Sequence, residues 1–442
     1  MDDKEHLESK ILELVGTYVD THLLSKKRVL GKDRIPYSAS VIDKEEIQAM
    51  VKSSLTGWFG AGQKVNEFES KIAEFHGLKK SIMTNSGSSA NLVAMSALCS
   101  QQMRNSRIKP GDEVITPATT FPTTMNPILI NRLVPVLLDT NLDTLNIDVS
   151  RLENALSDKT RALFLPHILG NVVEMKPVLE FAADNDLFVI EDICDALGSL
   201  YDGKLVGTFG DLATMSFYPA HHITTGEGGG VLVKDPDIAR IAKSIRDWGR
   251  ACWCSTNETN PLGACGRRFD FKVGGIPYDH KYIYANIGYN LKPLDLQGAI
   301  GLEQLKKLPK FSRARRENHK KLRNMLADID GEHIFIVKAT KNSDPNWFAF
   351  PFTVVDENPQ TTQDLILYLE DHCIMTRRMF CGNILRHDAY RDMDYDYRVV
   401  GTLGNADKVL KSTIFVGLYP GLSKEELFHI GDSINRFFKN AR

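Results

Sequence analysis

Short apolar segments alternate with helix-length stretches between residues 80 and 235. The apolar segments are Ser81–Thr84, Glu113–Thr116, Pro135–Leu138, Ala162–Leu165, Leu187–Glu191, Thr214–Phe217 and Gly230–Val233. Their apolar residues occupy successive positions rather than alternate ones, which is typical of strands buried on both faces. Such strands, joined by helices, predict an α/β fold with a mostly parallel central sheet covered by helices.

Helical patterns flank this region on both sides. Leu7, Ile11 and Leu14 recur at helical spacing and predict an amphipathic helix outside the main fold. Further helices are predicted over Glu46–Leu55 and over Lys306–Arg323.

The strand candidates Ile334–Val337 and Ala349–Val354 follow the last of these helices. A chain of 442 residues has room for two or three domains at roughly 150 residues each. We therefore predict an N-terminal helix and arm over residues 1–40, a large domain over 41–310, and a smaller C-terminal α+β domain over 311–442.

The charge balance narrows the class of partner. The sequence has 54 Lys and Arg against 56 Asp and Glu, a formal net charge of -2, which gives no field that would attract nucleic acid or an anionic membrane. No apolar run approaches the ~18 residues that suggest a membrane span, and the acidic start is unlike a secretory signal. We expect a cytoplasmic protein that acts on small molecules and binds neither nucleic acid nor membrane.

Two local patterns suggest a site for an anionic, ring-containing ligand. The small residues of Asn85–Asn91 follow a predicted strand and open a helix, where free N–H groups favour a phosphate; the same pattern also suits a plain helix cap. Asp192 ends the strand Leu187–Glu191, and a carboxylate there would pair with a protonated pyridine nitrogen or cap a helix.

The segment Ser216–Gly229, which reads SFYPAHHITTGEGG, resembles the pyridoxal-phosphate site of the DegT/DnrJ/EryC1/StrS sugar aminotransferase family. Further matching segments occur in the family's order at 85–91, 116–121, 191–198 and 288–291. The resemblance implies the aspartate-aminotransferase fold (fold type I) and a homodimer with its sites at the subunit interface. It assigns cofactor-binding roles to Gly87, Ser88 and Ser216 at the phosphate, Phe121 stacked on the ring, Asp192 at the ring nitrogen, and Asn290 at the phosphate of the neighbouring subunit.

One departure from the family motif changes the expected chemistry. His221 stands where the family carries its Schiff-base lysine. Imidazole cannot tether pyridoxal phosphate covalently, yet it is a competent general base for a C–H proton. Within the family this exchange resembles that of the nucleotide-sugar 3-dehydratases, which use non-covalently bound pyridoxamine phosphate. The alternative is a degenerate, inactive site.

A second departure concerns cysteine. Cys194, Cys252, Cys254 and Cys265 follow the pattern C-x57-C-x-C-x10-C, and four thiolates suit either an iron–sulfur cluster or a structural zinc. The pattern resembles that of the CDP-4-keto-6-deoxyglucose 3-dehydratase branch, which implies a 2Fe–2S cluster, although the last gap is longer here. Because Cys194 lies two residues after Asp192, a cluster would lie near the cofactor. Cys99, Cys373 and Cys381 are interpreted as packing residues.

The resemblance implies a pyridoxamine-phosphate-dependent and iron–sulfur-dependent 3-dehydratase, with CDP-4-keto-6-deoxyhexose as the substrate and 3,6-dideoxysugars for lipopolysaccharide O-antigen as the outcome. Its partner would be a separate NADH-dependent flavin/iron–sulfur reductase. A cluster-free dehydratase of GDP-4-keto-6-deoxymannose and a non-catalytic regulator or scaffold of the same fold are the alternatives. His167, Arg377 and Arg378 are candidate substrate contacts that could equally be structural, whereas His222 is expected to be structural.

Overall fold

The computed structural model describes residues 3–24, 28–252, 266–392 and 394–440. The helices of this part of the chain are α1 Asp3–Tyr18, α2 Lys44–Ser54, α3 Gln63–Phe75, α4 Gly87–Leu98, α5 Pro122–Ile130, α6 Leu152–Ala155, α7 Met175–Asp184, α8 Pro236–Arg246, α9 Asp295–Met325, α10 Pro359–Asp371, α11 Asp388–Arg391, α12 Gly404–Ser412 and α13 Lys424–Asn440. The strands are β1 Lys80–Thr84, β2 Glu113–Pro117, β3 Val134–Leu138, β4 Thr160–Pro166, β5 Phe188–Asp192, β6 Leu200–Tyr201, β7 Lys204–Leu205, β8 Leu212–Ser216, β9 Gly229–Val233, β10 Phe271–Val273, β11 Ile276–Tyr278, β12 Ile334–Ile336, β13 Ser343–Asp344, β14 Phe350–Val354, β15 Thr376–Arg378, β16 Arg398–Val399 and β17 Thr413–Val416.

The main sheet has the strand order β1-β9-β8-β5-β4-β2-β3-β16. Strand β9 runs antiparallel to both of its neighbours, and the remaining pairs are parallel. The mostly parallel α/β sheet predicted from the apolar segments is therefore confirmed. In sheets of this kind ligands bind beyond the carboxyl ends of the strands.

Strand β4 explains why the apolar segments lack alternation. Leu163 and Leu165 pack into a core that includes α7 and part of α9, whereas Ala162 and Phe164 pack into a second core with α4 and α8. Successive side chains of a strand point to opposite faces, so a sheet with a core on each face needs an apolar residue at every position.

A second, smaller sheet has the antiparallel order β12-β14-β17-β15 and shares a core with α10 and α13. The strands predicted at 334–337 and 349–354 belong to it. The long helix α9 packs against α2 and α3 and also against α13. The predicted boundary at residue 310 lies inside this helix, and the domain limits remain predictions.

The predicted N-terminal helix is α1, which packs on α2. Gly16 is buried against the Gln48 side chain, and Gln48 Nε2 donates a hydrogen bond to the Leu12 carbonyl. Leu7 and Leu14 remain exposed. In the described residues, no helix combines the length and apolar character that crossing a bilayer requires.

Candidate active site

A cavity of about 360 Å³ lies where β4, β5 and β8 end in Pro166, Asp192 and Ser216. This is the edge at which parallel sheets bind ligands, and the volume falls within the range of small-molecule sites. Most of the site residues predicted from the sequence line this cavity: Gly87, Ser88, Phe121, Asp192, Cys194, Ser216 and His221. The candidate substrate contacts His167, Arg377 and Arg378 line it too. Predicted residues as far apart in the sequence as Gly87 and Arg378 thus contribute to one site.

The N-terminus of α4 forms one end of the cavity. Ser86 caps the helix by accepting a hydrogen bond from the Ser89 N–H. A methyl group on Gly87 would lie 2.8 Å from Ser216 Oγ and 3.2 Å from Cys194 Sγ, so only glycine leaves room there. Gly229 packs against the turn that precedes α4. A methyl group on Gly229 would lie 2.3 Å from the Ser86 carbonyl oxygen, so glycine is required there as well. The turn is a cradle with free helix N–H groups beside a hydroxyl, which suits a phosphate.

Asp192 is almost fully buried and faces the same cavity. Its Oδ2 accepts hydrogen bonds from Asn91 Nδ2 and Thr124 Oγ1, each at 2.9 Å, and its Oδ1 accepts one from the Cys194 N–H at 3.1 Å. These donors fix the orientation of the carboxylate. A buried carboxylate without a cationic side chain bonded to it is suited to a cationic ligand group such as a protonated ring nitrogen.

Glu191 lies on the opposite face of β5 and is fully buried. Its carboxylate accepts hydrogen bonds from the backbone N–H groups of Gly207, Phe209 and Gly210 and contacts His167 Nε2 at 3.3 Å. Burial raises the pKa of Glu191, but His167 and these N–H groups outweigh burial and hold the pKa below its ordinary value.

His167 Nδ1 accepts a hydrogen bond from the Val173 N–H at 3.0 Å, so the proton of the neutral ring is on Nε2, toward Glu191. Both ring nitrogens are thereby engaged within the protein. Of the two interpretations left open by the sequence, this geometry favours a structural histidine at the cavity wall.

His221 reaches the cavity from the loop after β8. Its Nδ1 lies 3.3 Å from Asp195 Oδ1, and both side chains are about 15% exposed. The ring also lies against Phe348, with centroids 5.5 Å apart. The two atoms lie at ion-pair distance without hydrogen-bond geometry. The negative charge of Asp195 nevertheless favours a proton on the nearer nitrogen, Nδ1, and leaves Nε2 available as a base. Sequence reasoning missed Asp195, since an aspartate three residues before a glycine carries no motif of its own.

His222 has a different environment from its neighbour. It is buried, and its Nε2 donates a hydrogen bond to the Asn346 carbonyl at 2.7 Å. Burial holds the pKa of His222 well below its ordinary value, and Arg315 adds to the effect. A neutral, hydrogen-bonded ring of this kind fits the structural role expected for it.

Phe121 and Asn290 differ in their relation to the cavity. Phe121 is half-exposed at the cavity wall and packs edge-on against Phe380, with centroids 5.7 Å apart, which leaves a ring face for stacking. Asn290 does not line the cavity; it is exposed, and its Oδ1 accepts a hydrogen bond from Lys292 Nζ at 2.8 Å. A contact from Asn290 to a cofactor phosphate would therefore have to be made in another subunit's cavity.

The structure describes two of the four cysteines expected as metal ligands. Cys194 lies in the cavity wall, and Cys252 Sγ lies 3.4 Å from His280 Nε2. Burial, with Asp192 and Asp195, raises the pKa of the Cys194 thiol well above its ordinary value, so a thiolate there needs a bound cation to stabilise it. Cys254 and Cys265 lie outside the described residues.

The cavity fits pyridoxamine phosphate without a covalent tether. A phosphate cradle, a half-exposed ring face at Phe121 and the Asp192 carboxylate all border it, whereas none of the described residues lining it is a lysine. These groups match the anion, the aromatic ring and the basic nitrogen of the cofactor.

Asp192→Asn tests this fit directly. A charge-assisted hydrogen bond to a ring nitrogen contributes about 1.5–3 kcal/mol, so we expect the affinity for pyridoxamine phosphate to fall about tenfold to a hundredfold. An absorbance titration measures the change. Asp235→Asn is the matched control, because Asp235 caps α8 and asparagine caps equally well. Unchanged affinity in Asp192→Asn would remove Asp192 from the ring nitrogen.

Comparisons with known proteins agree with this geometry. The sequence profile of the DegT/DnrJ/EryC1/StrS aminotransferase family matches residues 40–435. The chain is 45% identical over 411 residues to the dTDP-4-dehydro-2,6-dideoxy-D-glucose 3-dehydratase of Saccharopolyspora spinosa, which covers 92% of this chain and 87% of that protein. It is 42% identical over 435 residues to the lipopolysaccharide biosynthesis protein RfbH of Salmonella typhimurium, 98% of each chain. The structure of Escherichia coli GDP-4-keto-6-deoxy-D-mannose-3-dehydratase with bound hydrated pyridoxal phosphate matches with a TM-score of 0.81 at 29% identity, over 91% of this chain and 100% of that one.

Proposed function

Because the chain belongs to the DegT/DnrJ/EryC1/StrS aminotransferase family, we propose that it is a pyridoxamine-phosphate-dependent 3-dehydratase of a nucleotide-linked 4-keto-6-deoxyhexose. The observation that carries the proposal is His221, held beside Asp195 in a cavity lined by no lysine among the described residues. Relatives with 3-dehydratase names at up to 45% identity support the same reaction class. Loss of the C3 hydroxyl is the expected chemical outcome.

His221 is the proposed general base. When bound, pyridoxamine phosphate would supply an amine for the sugar ketone and a ring able to withdraw electrons from the C4′ carbon. Asp195 keeps the His221 proton on Nδ1, so Nε2 can accept the C4′ proton. The same nitrogen, once protonated, can donate that proton to the departing C3 hydroxyl.

The remaining predicted residues around the cavity hold and orient the cofactor. Gly87, Ser88 and Ser216 bind the phosphate at the start of α4, and Phe121 supports the ring. Asp192 stabilises the positive charge on the ring nitrogen, which makes the C4′ proton easier to remove. In a homodimer, Asn290 reaches the phosphate in the neighbouring cavity. Tyr282, Tyr284 and Ile287, close to Asn290 in the chain, are all exposed, and a group of exposed apolar side chains supports an interface at this segment.

Cys194, Cys252, Cys254 and Cys265 are the proposed ligands of a 2Fe–2S cluster. Such a cluster transfers single electrons, which a structural zinc cannot do. The location of Cys194 in the cavity wall supports a redox role, since a purely structural metal has no need to lie beside the cofactor. A separate NADH-dependent flavin/iron–sulfur reductase would supply two electrons, one at a time, to complete 3-deoxygenation.

Arg377 is the proposed contact for the substrate diphosphate. Its guanidinium lies at the cavity wall, 4.3 Å from the Tyr37 ring centroid, and donates a hydrogen bond to the Thr376 carbonyl. Arg378 instead donates to the Lys411 carbonyl and to Gln363 Oε1. Arg377 therefore keeps donors available for phosphate oxygens, which arginine binds bidentately.

Arg377→Ala should raise the KM for the nucleotide sugar by about tenfold to a hundredfold, the size of a lost charge-assisted hydrogen bond, and leave pyridoxamine phosphate binding unchanged. Steady-state kinetics with the reductase present measure KM. Arg436→Ala, which removes an exposed arginine paired with Asp432 on α13, is the control. A KM equal to that of the wild type would exclude Arg377 from the diphosphate.

Product analysis tests the proposed function. The protein, pyridoxamine phosphate, a reductase of the stated class and NADH are incubated with CDP-, dTDP- or GDP-linked 4-keto-6-deoxyhexose. We expect the CDP-linked sugar to lose its C3 oxygen fastest, and the RfbH relative supports a place in lipopolysaccharide O-antigen synthesis. Deoxygenation of the GDP sugar with glutamate and without a reductase would favour the cluster-free alternative. No turnover together with no cofactor binding would favour a regulator or scaffold.

A further inference from the structure

Residues 35–41, which we call the strap, run from the small sheet to the loop that carries His221. At the start of the strap, the Ile35 N–H donates to the Cys373 carbonyl and the Met375 N–H donates to the Ile35 carbonyl. This parallel pairing with Ile374 attaches the strap beside β15. The strap is therefore anchored to the small sheet.

The middle of the strap packs over the small sheet and the wall of the cavity. Tyr37 lies edge-on to Phe415, with centroids 6.0 Å apart, and beneath the Arg377 guanidinium. A methyl group on Gly417 would lie 2.5 Å from the Pro36 carbonyl oxygen, so the glycine permits the strap to approach β17. Tyr37 and Arg377 both line the cavity.

The end of the strap bonds to the two residues that precede His221. Ser38 Oγ donates a hydrogen bond to the Ala220 carbonyl at 2.5 Å, and Ser40 Oγ donates one to the Pro219 carbonyl at 2.9 Å. Alternate residues of an extended segment share a face, which explains why both hydroxyls can reach the same loop.

Other bonds complete the support of this loop. Gln304 on α9 donates through Nε2 to the Val41 carbonyl and accepts through Oε1 from the Thr224 N–H. The His221 N–H donates to the Tyr218 carbonyl at 3.0 Å. The Gln304 bonds fix the loop at Thr224 and the strap at Val41, and the His221 bond closes a turn inside the loop. The carbonyls of residues 219 and 220 are held by the strap.

We propose that Ser38 and Ser40 are positioning residues for His221, and that through the strap the placement of the His221 ring depends on the small sheet. The hydroxyl hydrogen bonds of the two serines go to backbone carbonyls and not to the cofactor-binding residues or Asp195; the serines act on the base through the backbone before it. The inference rests on the proposed role of His221 as the base. It deepens that role by linking the base to the sheet that carries Arg377.

The double variant Ser38→Ala/Ser40→Ala leaves two carbonyls without donors and frees the loop. We expect exchange of the C4′ proton of bound pyridoxamine phosphate to slow about tenfold to a hundredfold, the effect of a misplacement near 1 Å, while the cofactor dissociation constant stays unchanged. In the cofactor-free protein, we expect diethylpyrocarbonate to modify His221 faster, as measured by mass spectrometry of its peptide. Ser38→Thr and Ser40→Thr keep the hydroxyls and should retain the wild-type rates.

Ser70→Ala is the matched control, because the hydroxyl of Ser70, at an exposed position of α3, also donates a hydrogen bond to a backbone carbonyl, that of Asn66. The single Ser→Ala variants carry the same prediction with smaller effects if the double variant does not fold. Wild-type exchange and modification rates in the alanine variants, or threonine variants as slow as the alanine ones, would overturn the inference. If the wild-type protein itself exchanges no proton, the proposed function fails, and the modification rates alone decide the role of the strap.

Discussion

His221→Asn should abolish C4′ proton exchange and leave pyridoxamine phosphate bound. General-base catalysis contributes about 10²–10⁴-fold to a rate, and asparagine offers no basic nitrogen at the place of Nε2. The phosphate cradle, Phe121 and Asp192 are untouched, so the dissociation constant of the cofactor should remain that of the wild type. Exchange is measured by NMR after transfer of the complex to deuterium oxide.

The control for this variant is His372→Asn, an exposed histidine whose Nδ1 contacts the Tyr368 carbonyl and which does not line the cavity. It should exchange at the wild-type rate. Exchange that persists in His221→Asn would show that another group takes the proton. Loss of cofactor binding together with exchange would instead assign His221 a binding role.

Cys252→Ser should remove the visible absorbance of the anaerobically purified protein and stop net 3-deoxygenation. Serine supplies a harder oxygen in place of a thiolate, and a 2Fe–2S cluster held by four cysteines depends on each of them. Exchange of the C4′ proton should continue, because Cys252 does not line the cavity. The visible spectrum, the iron content and the product assay are measured on one preparation.

Cys373→Ser is the matched control, since Cys373 is half-buried beside the small sheet and is interpreted as a packing residue. It should keep the spectrum and the activity. An unchanged spectrum in Cys252→Ser would exclude Cys252 as a ligand. Retained absorbance with lost activity would place Cys252 elsewhere in the electron path.

The strands of the main sheet could be predicted from sequence, because burial on both faces requires an apolar residue at each successive position of a strand. Strand β4 must place Ala162 and Phe164 in one core and Leu163 and Leu165 in the other, and this demand produces an uninterrupted apolar segment. Strand order and the antiparallel β9 could not be predicted in the same way. They depend on which segments meet in space, which periodicity does not encode.

The residues of the candidate site that belong to sequence motifs could be predicted. The residues that reach the site only through tertiary contacts could not. Gly87 and Ser216 come together because each stands at the end of a regular element, and that position is readable from the chain. Asp195 beside His221 and the strap serines beneath its loop are single polar residues with no recurrent spacing. Their roles follow only from distances between segments that are far apart in sequence.

The central claim is an untethered amine cofactor beside an electron-transferring cluster. It is tested most directly by purifying the protein without oxygen, recording its visible and electron paramagnetic resonance spectra, and identifying the cofactor released on denaturation. We predict a coloured protein with about two iron atoms per chain, a resonance signal on reduction, and pyridoxamine phosphate free in the supernatant. A colourless, iron-free protein, or pyridoxal phosphate bound covalently to a lysine, would contradict the account.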